Sequence, residues 1–293
     1  MANAEIVLDP WNAPGRNRIL RAIGNALLQI LLTIGVVIAL TPFFWMVSTS
    51  LKTMAEVAMV PPTIFSPRPA FSNYVDVWTT LPALNRFFLN SVIVTTGVVG
   101  GRMISCSLVA FGFARLRFPG RGILFLLVLS TLILPEQVTL IPQYIMFRDV
   151  GWIDTFFPLI VPAFFGQAFY IFLLRQFFLG IPRELDEAAR IDGASYLGIF
   201  STIIIPLSKP ALAAVAALSF VAAWNDFLQP LNYLTSTSMQ TLAVGMSYLI
   251  VDTGTQTNQL MAVSTMALVP IIVVFFAAQK YFIQGIALTG IKG

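Results

Sequence analysis

Long stretches of this chain contain no charged side chain. Asp, Glu, Lys and Arg are all absent from residues 22–51, 155–174 and 253–279. A helix needs about 20 mostly apolar residues to cross the hydrocarbon core of a bilayer. Inside lipid, backbone N–H and C=O groups must find partners within the chain, so runs of this length are read as helices. Spans are expected at about 22–47, 87–113, 122–147, 155–179, 208–229 and 261–283, six in all. The third is interrupted by Pro135-Glu136-Gln137, which predicts either a kinked helix or a shorter span followed by a surface piece. Residues 241–251 are apolar but too short to cross, and predict a surface helix or a re-entrant turn. Between the first two spans, the segment 48–86 contains Pro61, Pro62, Pro67 and Pro69 and reads as an ordered loop outside the membrane. The first apolar run is longer than a signal-peptide core and lacks a small-residue cleavage site, so it is expected to remain as a span.

Composition agrees with the pattern. Of 293 residues, 57% are hydrophobic and 10% charged, with a mean hydropathy of +0.84, against about 25% charged residues in soluble domains. The net charge of +4 belongs to topology rather than to nucleic-acid binding. With the N-terminus inside, 12 of the 17 Lys and Arg residues fall on the cytoplasmic side. Lys52, Arg68, Arg86 and Arg148 fall outside, and Arg102 lies within a span. This bias predicts a multi-pass protein with both termini in the cytoplasm.

The chain has no histidine and one cysteine, Cys106. A Ser-His-Asp triad, a His/Cys metal cluster and an internal disulfide are therefore all excluded, and no catalytic or metal-binding residue is expected. Cys106 lies in an apolar stretch and reads as a small buried hydrophobe. Arg102 follows Gly100-Gly101 near the middle of the second span. A buried arginine there is costly enough that it should face protein or a water-filled cavity. It is expected to line a solute path, to pair with Glu136, or to tie two subunits together. Trp224-Asn225-Asp226 falls near the outer end of the fifth span, where it can pack and anchor at the interface or offer aromatic and amide groups to a sugar.

One segment between the fourth and fifth spans is unlike its surroundings: Ile181-Pro182-Arg183-Glu184-Leu185-Asp186-Glu187-Ala188-Ala189-Arg190-Ile191-Asp192-Gly193-Ala194-Ser195. It holds four of the 13 acidic residues within nine positions. Pro182 suits the first position of a helix, and Glu184, Asp186 and Glu187 suit the positive end of the helix dipole. Arg183/Glu187 and Asp186/Arg190 are spaced for i, i+4 pairing, and Gly193 suits a left-handed cap. A second short helix is expected over 196–205, ending at Pro206. The pattern alone allows either a solvated connector or a short helix, corner and helix offered to another protein.

The run Glu187-Ala188-Ala189-Arg190-Ile191-Asp192-Gly193-Ala194, with Ile205-Pro206-Leu207 and Pro210, resembles the EAA loop of binding-protein-dependent ATP-binding-cassette import permeases. Ser50-Leu51-Lys52-Thr53, Pro61-Pro62, Asn73-Tyr74, Asn90-Ser91, the 110–115 run Ala-Phe-Gly-Phe-Ala-Arg, Trp224-Asn225-Asp226 and the tail from Gly285 to Lys292-Gly293 extend the resemblance to the carbohydrate-uptake branch. Within it the chain is similar to the shorter permease of maltose-type importers. The tail ends in Gly-Ile-Lys-Gly where Gly-Ala-Val-Lys-Gly is expected, a conservative departure.

That resemblance implies an all-α, type-1 permease fold. It comprises an N-terminal part (1–84), a core (85–283) with the EAA segment at about 183–206, and a short cytoplasmic tail (284–293). It also implies that Glu187, Ala188, Ala189, Asp192 and Gly193 couple to an ATPase, while Arg102, Glu136, Asn225 and Asp226 are candidates for the pathway. The implied partners are a second, non-identical permease, two ATP-binding-cassette ATPases and an extracytoplasmic solute-binding protein, with membrane lipid around the spans. ATP and Mg would be held by the ATPases, since the chain has no G-x-x-x-x-G-K-[ST] loop. The implied location is a bacterial cytoplasmic membrane. The implied cargo is a sugar, with glycerol phosphate or a polyol as the alternative within the class. An ion-coupled secondary transporter is the rival outside it, but it would call for buried carboxylates and matching halves, and only Glu136 offers itself.

Overall fold

A computed structural model of the chain describes residues 14–251 and 256–289, and the described residues contain helices and no strand. Among the described residues four helices are long and apolar enough to cross a membrane, and the number of spans is six if each of two bent pairs is counted as one. The first span lies in the helix Pro14–Ser50 and the second is Leu84–Arg115. The third joins Arg121–Ile133 to Gln137–Asp149 across a 100° bend at Pro135, and the fourth is Phe157–Leu179. The fifth joins Tyr196–Leu207 to Lys209–Trp224 across a 79° bend, and the sixth lies in the helix Thr257–Thr289. Most of the segment expected as a tail thus continues the sixth helix, and residues 290–293 lie outside the described ones.

The second span is the centre of the packing. The fourth and fifth spans lie against it, the sixth lies against the fifth, and the first packs on the sixth. The window of the first span that would sit in hydrocarbon buries none of its residues within this chain. At one end of the bundle, Cys106, Ala110, Phe111 and Ala114 of the second span meet Tyr170, Ile171, Leu174 and Phe178 of the fourth. At the other end, Leu84 and Phe87 pack with Trp224, Leu242, Leu249 and Val263.

Wherever a span breaks, backbone groups lose their helical partners and something else must satisfy them. The fourth span shows how. It passes from a 3-10 turn (Val161–Phe165) through Gly166 at φ +88° before Ala168–Leu179 resumes. A residue with a Cβ would be strained at that φ. Ser105 of the second span donates to the Ala163 carbonyl (2.8 Å), and the Gln167 N–H donates to Cys106 Sγ (3.3 Å). Cys106 is buried, as expected, and also serves as an acceptor in the repair of this break. In the fifth span the helix does not stop at Pro206. A wide π turn (Phe200–Ile204) leads into Ile205–Leu207, and the bend comes at Ser208. A wide turn makes room for a proline ring that would otherwise clash with the preceding turn.

Polar residues brace the segments between the spans at the opposite end from the charged helix. Asn73 donates to the Ser50 and Lys52 carbonyls (2.7 and 2.9 Å) and accepts from Asn258 of the sixth span (2.9 Å). Ser50 bonds the Tyr74 hydroxyl (2.7 Å), and the buried Lys52 ammonium donates to the Thr63 carbonyl (2.5 Å) beneath the Trp45 ring. Asp154 receives the N–H groups of Thr235 and Ser236 and the Ser236 hydroxyl, which holds its carboxyl below the usual carboxylate range. The apolar 241–251 stretch folds back as two short turns, Leu242–Gly245 and Tyr248–Val251. Asn90 donates to the Ser238 and Gln240 carbonyls (3.0 and 2.8 Å), and Ser91 accepts from the Leu242 N–H (2.8 Å).

This return segment approaches the second span too closely for a side chain at Gly245. A Cβ there would lie 2.1 Å from the ring of Phe87, which is fully buried. Gly245→Ala is expected to lower stability by about 1–3 kcal/mol, the usual cost of overpacking. Thermal unfolding of the purified protein in detergent checks this, and the double variant Gly245→Ala/Phe87→Leu should recover part of the loss.

Candidate functional site

The charged segment after the fourth span forms a helix, Glu184–Ile191, as its residue order predicts. Glu184, Asp186 and Glu187 occupy the first turn and Arg190 the last, each at the end of the dipole that favours its charge. Pro182 lies two residues before this helix rather than at its first position, and Arg183 is the cap residue. Gly193 has φ +84°, and its N–H donates to Arg190 O (3.1 Å) while Ala194 N–H reaches back to Ala189 O (2.8 Å). This is a left-handed helix terminus that glycine adopts without strain. Ser195 caps the next helix, its hydroxyl accepting from Gly198 N–H (3.1 Å). The result is a helix, a glycine corner and a second helix.

What fixes this corner to the bundle is an interaction with no signature in local sequence. Arg115, the last residue of the second span, reaches Asp186 Oδ2 at 3.4 Å, with side-chain exposures of 3% and 16%. The same guanidinium donates to the Ile181 carbonyl (2.9 Å), and Arg183 donates to Ala114 O (3.5 Å). The expected i, i+4 pairs Arg183/Glu187 and Asp186/Arg190 do not form ion pairs among the described residues, because Asp186 turns inward to Arg115. Burial pushes the Asp186 carboxyl up against the pull of Arg115 and Arg183. Arg190 lies over the Tyr196 ring (5.1 Å).

One face of the charged helix is therefore committed inward. Ala189, half-buried, and Ala194 pack on the inner core, whose buried members include Ile181, Ile199 and Ile204. The opposite face is open: Glu187, Ala188, Asp192 and Gly193 are exposed, as are Leu185 (42%) and Ile191 (87%). An exposed isoleucine beside exposed acids and a small residue presents apolar contact area with charge around it, the composition of a surface made to be covered.

The intramembrane candidates do not form one group. Arg102 donates to the Ser219 hydroxyl of the fifth span (3.2 Å) and lies over the Tyr170 ring of the fourth (5.3 Å), so it faces protein where three spans meet. Glu136 opens the helix after the third-span bend, and its side chain lies outside those described. Asn225 Nδ2 turns back to Val221 O (2.9 Å), and Asp226 Oδ1 accepts from Gln229 N–H (3.2 Å). Asp226 also borders a cavity of about 140 Å³ with Thr139, Gln143, Gln229 and Tyr233. Trp224 is packed rather than placed at an interface, and its indole N–H donates to Ala267 O (3.1 Å). Among the described residues, no cluster of His, Cys, Asp or Glu is arranged to hold a metal.

Comparison with known proteins places this geometry. Residues 13–288 match the family described as "Binding-protein-dependent transport system inner membrane component". The chain is 35% identical over 275 residues to the arabinooligosaccharides transport system permease protein AraQ of Halalkalibacterium halodurans, covering 92% of this chain and 98% of that one. It is 31% identical over 277 residues to the sn-glycerol-3-phosphate transport system permease protein UgpE of Brucella abortus, with the same coverage. In three dimensions it is similar to a chain of a bacterial ABC transporter involved in the import of the acidic polysaccharide alginate. The TM-score is 0.77 at 28% identity, covering 91% of this chain and 98% of that one.

The Arg115–Asp186 tie makes a prediction of its own. Asp186→Ala leaves a buried guanidinium without its counter-charge and is expected to cost about 3 kcal/mol, the lower end for a broken buried pair because Asp186 keeps some solvent contact. Arg115→Met/Asp186→Leu removes both charges and is expected to restore most of the thermal stability of the purified protein. A double variant no more stable than Asp186→Ala alone would show that the pair does not hold the corner.

Proposed function

This chain belongs to the family of binding-protein-dependent transport system inner membrane components, and from that premise we propose that it is a permease subunit of an ATP-driven importer of a carbohydrate. It works beside a second, non-identical permease. A solute-binding protein delivers the cargo from outside, and two ATP-binding-cassette subunits bind ATP with Mg and hydrolyse it. This chain holds no nucleotide and catalyses no reaction. Both termini and the 183–195 corner face the cytoplasm, in keeping with the excess of Lys and Arg on that side.

The observation that carries the mechanism is the glycine-cornered charged helix, exposed on one face and tied to the second span by Arg115 and Asp186. A partner gripping Glu187, Ala188, Asp192 and Gly193 has a stiff handle on the spans. Closure of the ATPases then tilts the helix, and the buried pair and the apolar contacts of Ala189 and Ala194 pass the movement to the second and fourth spans as a rigid-body shift. Alternating access to a pathway between the permeases follows from that tilt. Arg102, held by Ser219 and Tyr170, lines or supports this pathway, with Asn225 and Asp226 near its outer end. A sugar is favoured by the arabinooligosaccharide and alginate relatives. Similarity to a glycerol-phosphate permease supports a phosphorylated or polyol cargo as a second reading.

Coupling is tested at Gly193 and Glu187. No side chain lies near Gly193, so the cost of substitution there is in the backbone. Alanine at φ +84° is strained by about 1 kcal/mol, and proline cannot reach that φ and also removes the bond to Arg190 O. Gly193→Pro and Glu187→Lys are expected to reduce solute-stimulated ATPase activity and uptake together, with membrane insertion unchanged. Normal uptake in both variants would make the segment a plain connector, and a change confined to substrate selectivity would place it in the pathway.

Topology is tested with single cysteines at Ser72, Arg117 and Ser195 in a Cys106→Ala background. An impermeant maleimide added to whole cells should label only the residue at 72. Labelling at 195 from outside would invert the orientation and remove the coupling role with it.

A further inference from the structure

Between the end of the second span and the charged helix lies a cavity of about 250 Å³, walled by Arg115, Arg117, Arg183 and Arg190, by Asp186 and Glu187, and by Phe111, Tyr196 and Ile199. Four cations face two anions. Arg115 and Asp186 answer each other, and among the described residues Arg117, Arg183 and Arg190 form no ion pair. Three unpaired guanidiniums against the one unpaired carboxylate of Glu187 leave the cavity with an excess of positive charge, which an oxyanion meets. Of its walls, Arg115 ends the second span and Arg183 follows the end of the fourth at Leu179, the level at which a bilayer places its headgroups.

We propose that this cavity binds a phosphate group, and that its occupant is the phosphate headgroup of an anionic lipid in the cytoplasmic leaflet. Phosphate oxygens lie toward Arg117, Arg183 and Arg190, and Phe111 and Tyr196 flank the apolar remainder. Basic pockets at the cytoplasmic ends of membrane helices suit such headgroups, both by charge and by position. Because Asp186 and Glu187 stand in the charged helix itself, the bound headgroup steadies the helix that the coupling reading assigns to the ATPase. The inference rests on that reading only for the cytoplasmic placement of the segment.

The test uses the assembled importer in phosphatidylcholine nanodiscs with and without phosphatidylglycerol, and native mass spectrometry of the released complex. Arg117→Gln and Arg190→Gln alter exposed side chains and are each expected to lower phosphatidylglycerol retention roughly fivefold, the effect of one arginine at a charged membrane surface. Arg148→Gln, at an exposed ion pair with Asp149, should leave it unchanged. A parallel arm adds inorganic phosphate to lipid-free detergent samples. Phosphate retention that falls in the same two variants, with no difference in lipid retention, would keep the phosphate site and assign it to the free ion. Equal lipid and phosphate retention in all four proteins would overturn the proposal. So would lipid retention only after removal of the ATPases, since a protein carboxylate would then fill the cavity in the complex. Normal coupling in Gly193→Pro alongside a lipid loss in Arg117→Gln would sink the coupling role and leave the lipid site standing.

Discussion

Hydrocarbon offers no hydrogen bond, so each backbone N–H and C=O within the membrane must be satisfied by the protein itself. Six long apolar segments become helices for that reason, and the places where a helix fails decide where polar side chains go. At Gly166 the fourth span is interrupted, and Ser105 and Cys106 of the second span take up the Ala163 carbonyl and the Gln167 N–H. The second span can do so because Gly97 and Gly101 let Ile160 and Phe164 come within contact of its backbone. A break in one span and small or polar residues on its neighbour are thus one feature seen from two sides.

The same economy appears in the segments that connect the spans at the other end. Asn73, Asn90, Ser91 and Lys52 sit in motifs that resemble a transporter family, and each one satisfies main-chain carbonyls or N–H groups of a distant segment. Asn73 joins the end of the first span to the sixth through Asn258, across 185 residues of chain. These residues serve the fold. They hold the loop after the first span and the 241–251 return against the second and sixth spans.

The glycine corner after the fourth span combines stiffness with exposure. Its stiffness comes from Gly193, the Ser195 cap and the Arg115–Asp186 pair, and its exposure from Ile191, Ala188 and the acids around them. Its inner face is bonded to a span while its outer face stays available, which is what the proposed coupling role requires. The buried pair is the part with the largest consequence, since either charge alone would be left in a site with little water.

The long apolar stretches, the charged helix and its glycine corner were legible in the sequence, each from composition within a window of about 20 residues or fewer, on which helix length, dipole and cap preferences act locally. Glu187, Ala188, Ala189 and Asp192 came from the resemblance to the EAA loop, and of these Ala189 packs inward. Tertiary structure decided the rest. Asp186 pairs with Arg115, 71 positions away, and not with Arg190 one turn along. Trp224 turns inward to Ala267, and Cys106 accepts from a broken helix instead of merely filling space. The fifth span runs through Pro206 and bends at Ser208. These outcomes depend on which spans are neighbours and how deep each side chain is buried. Within one helix a charge can find a partner in water at little cost or gain, whereas a buried charge must be matched by whatever the fold brings within reach.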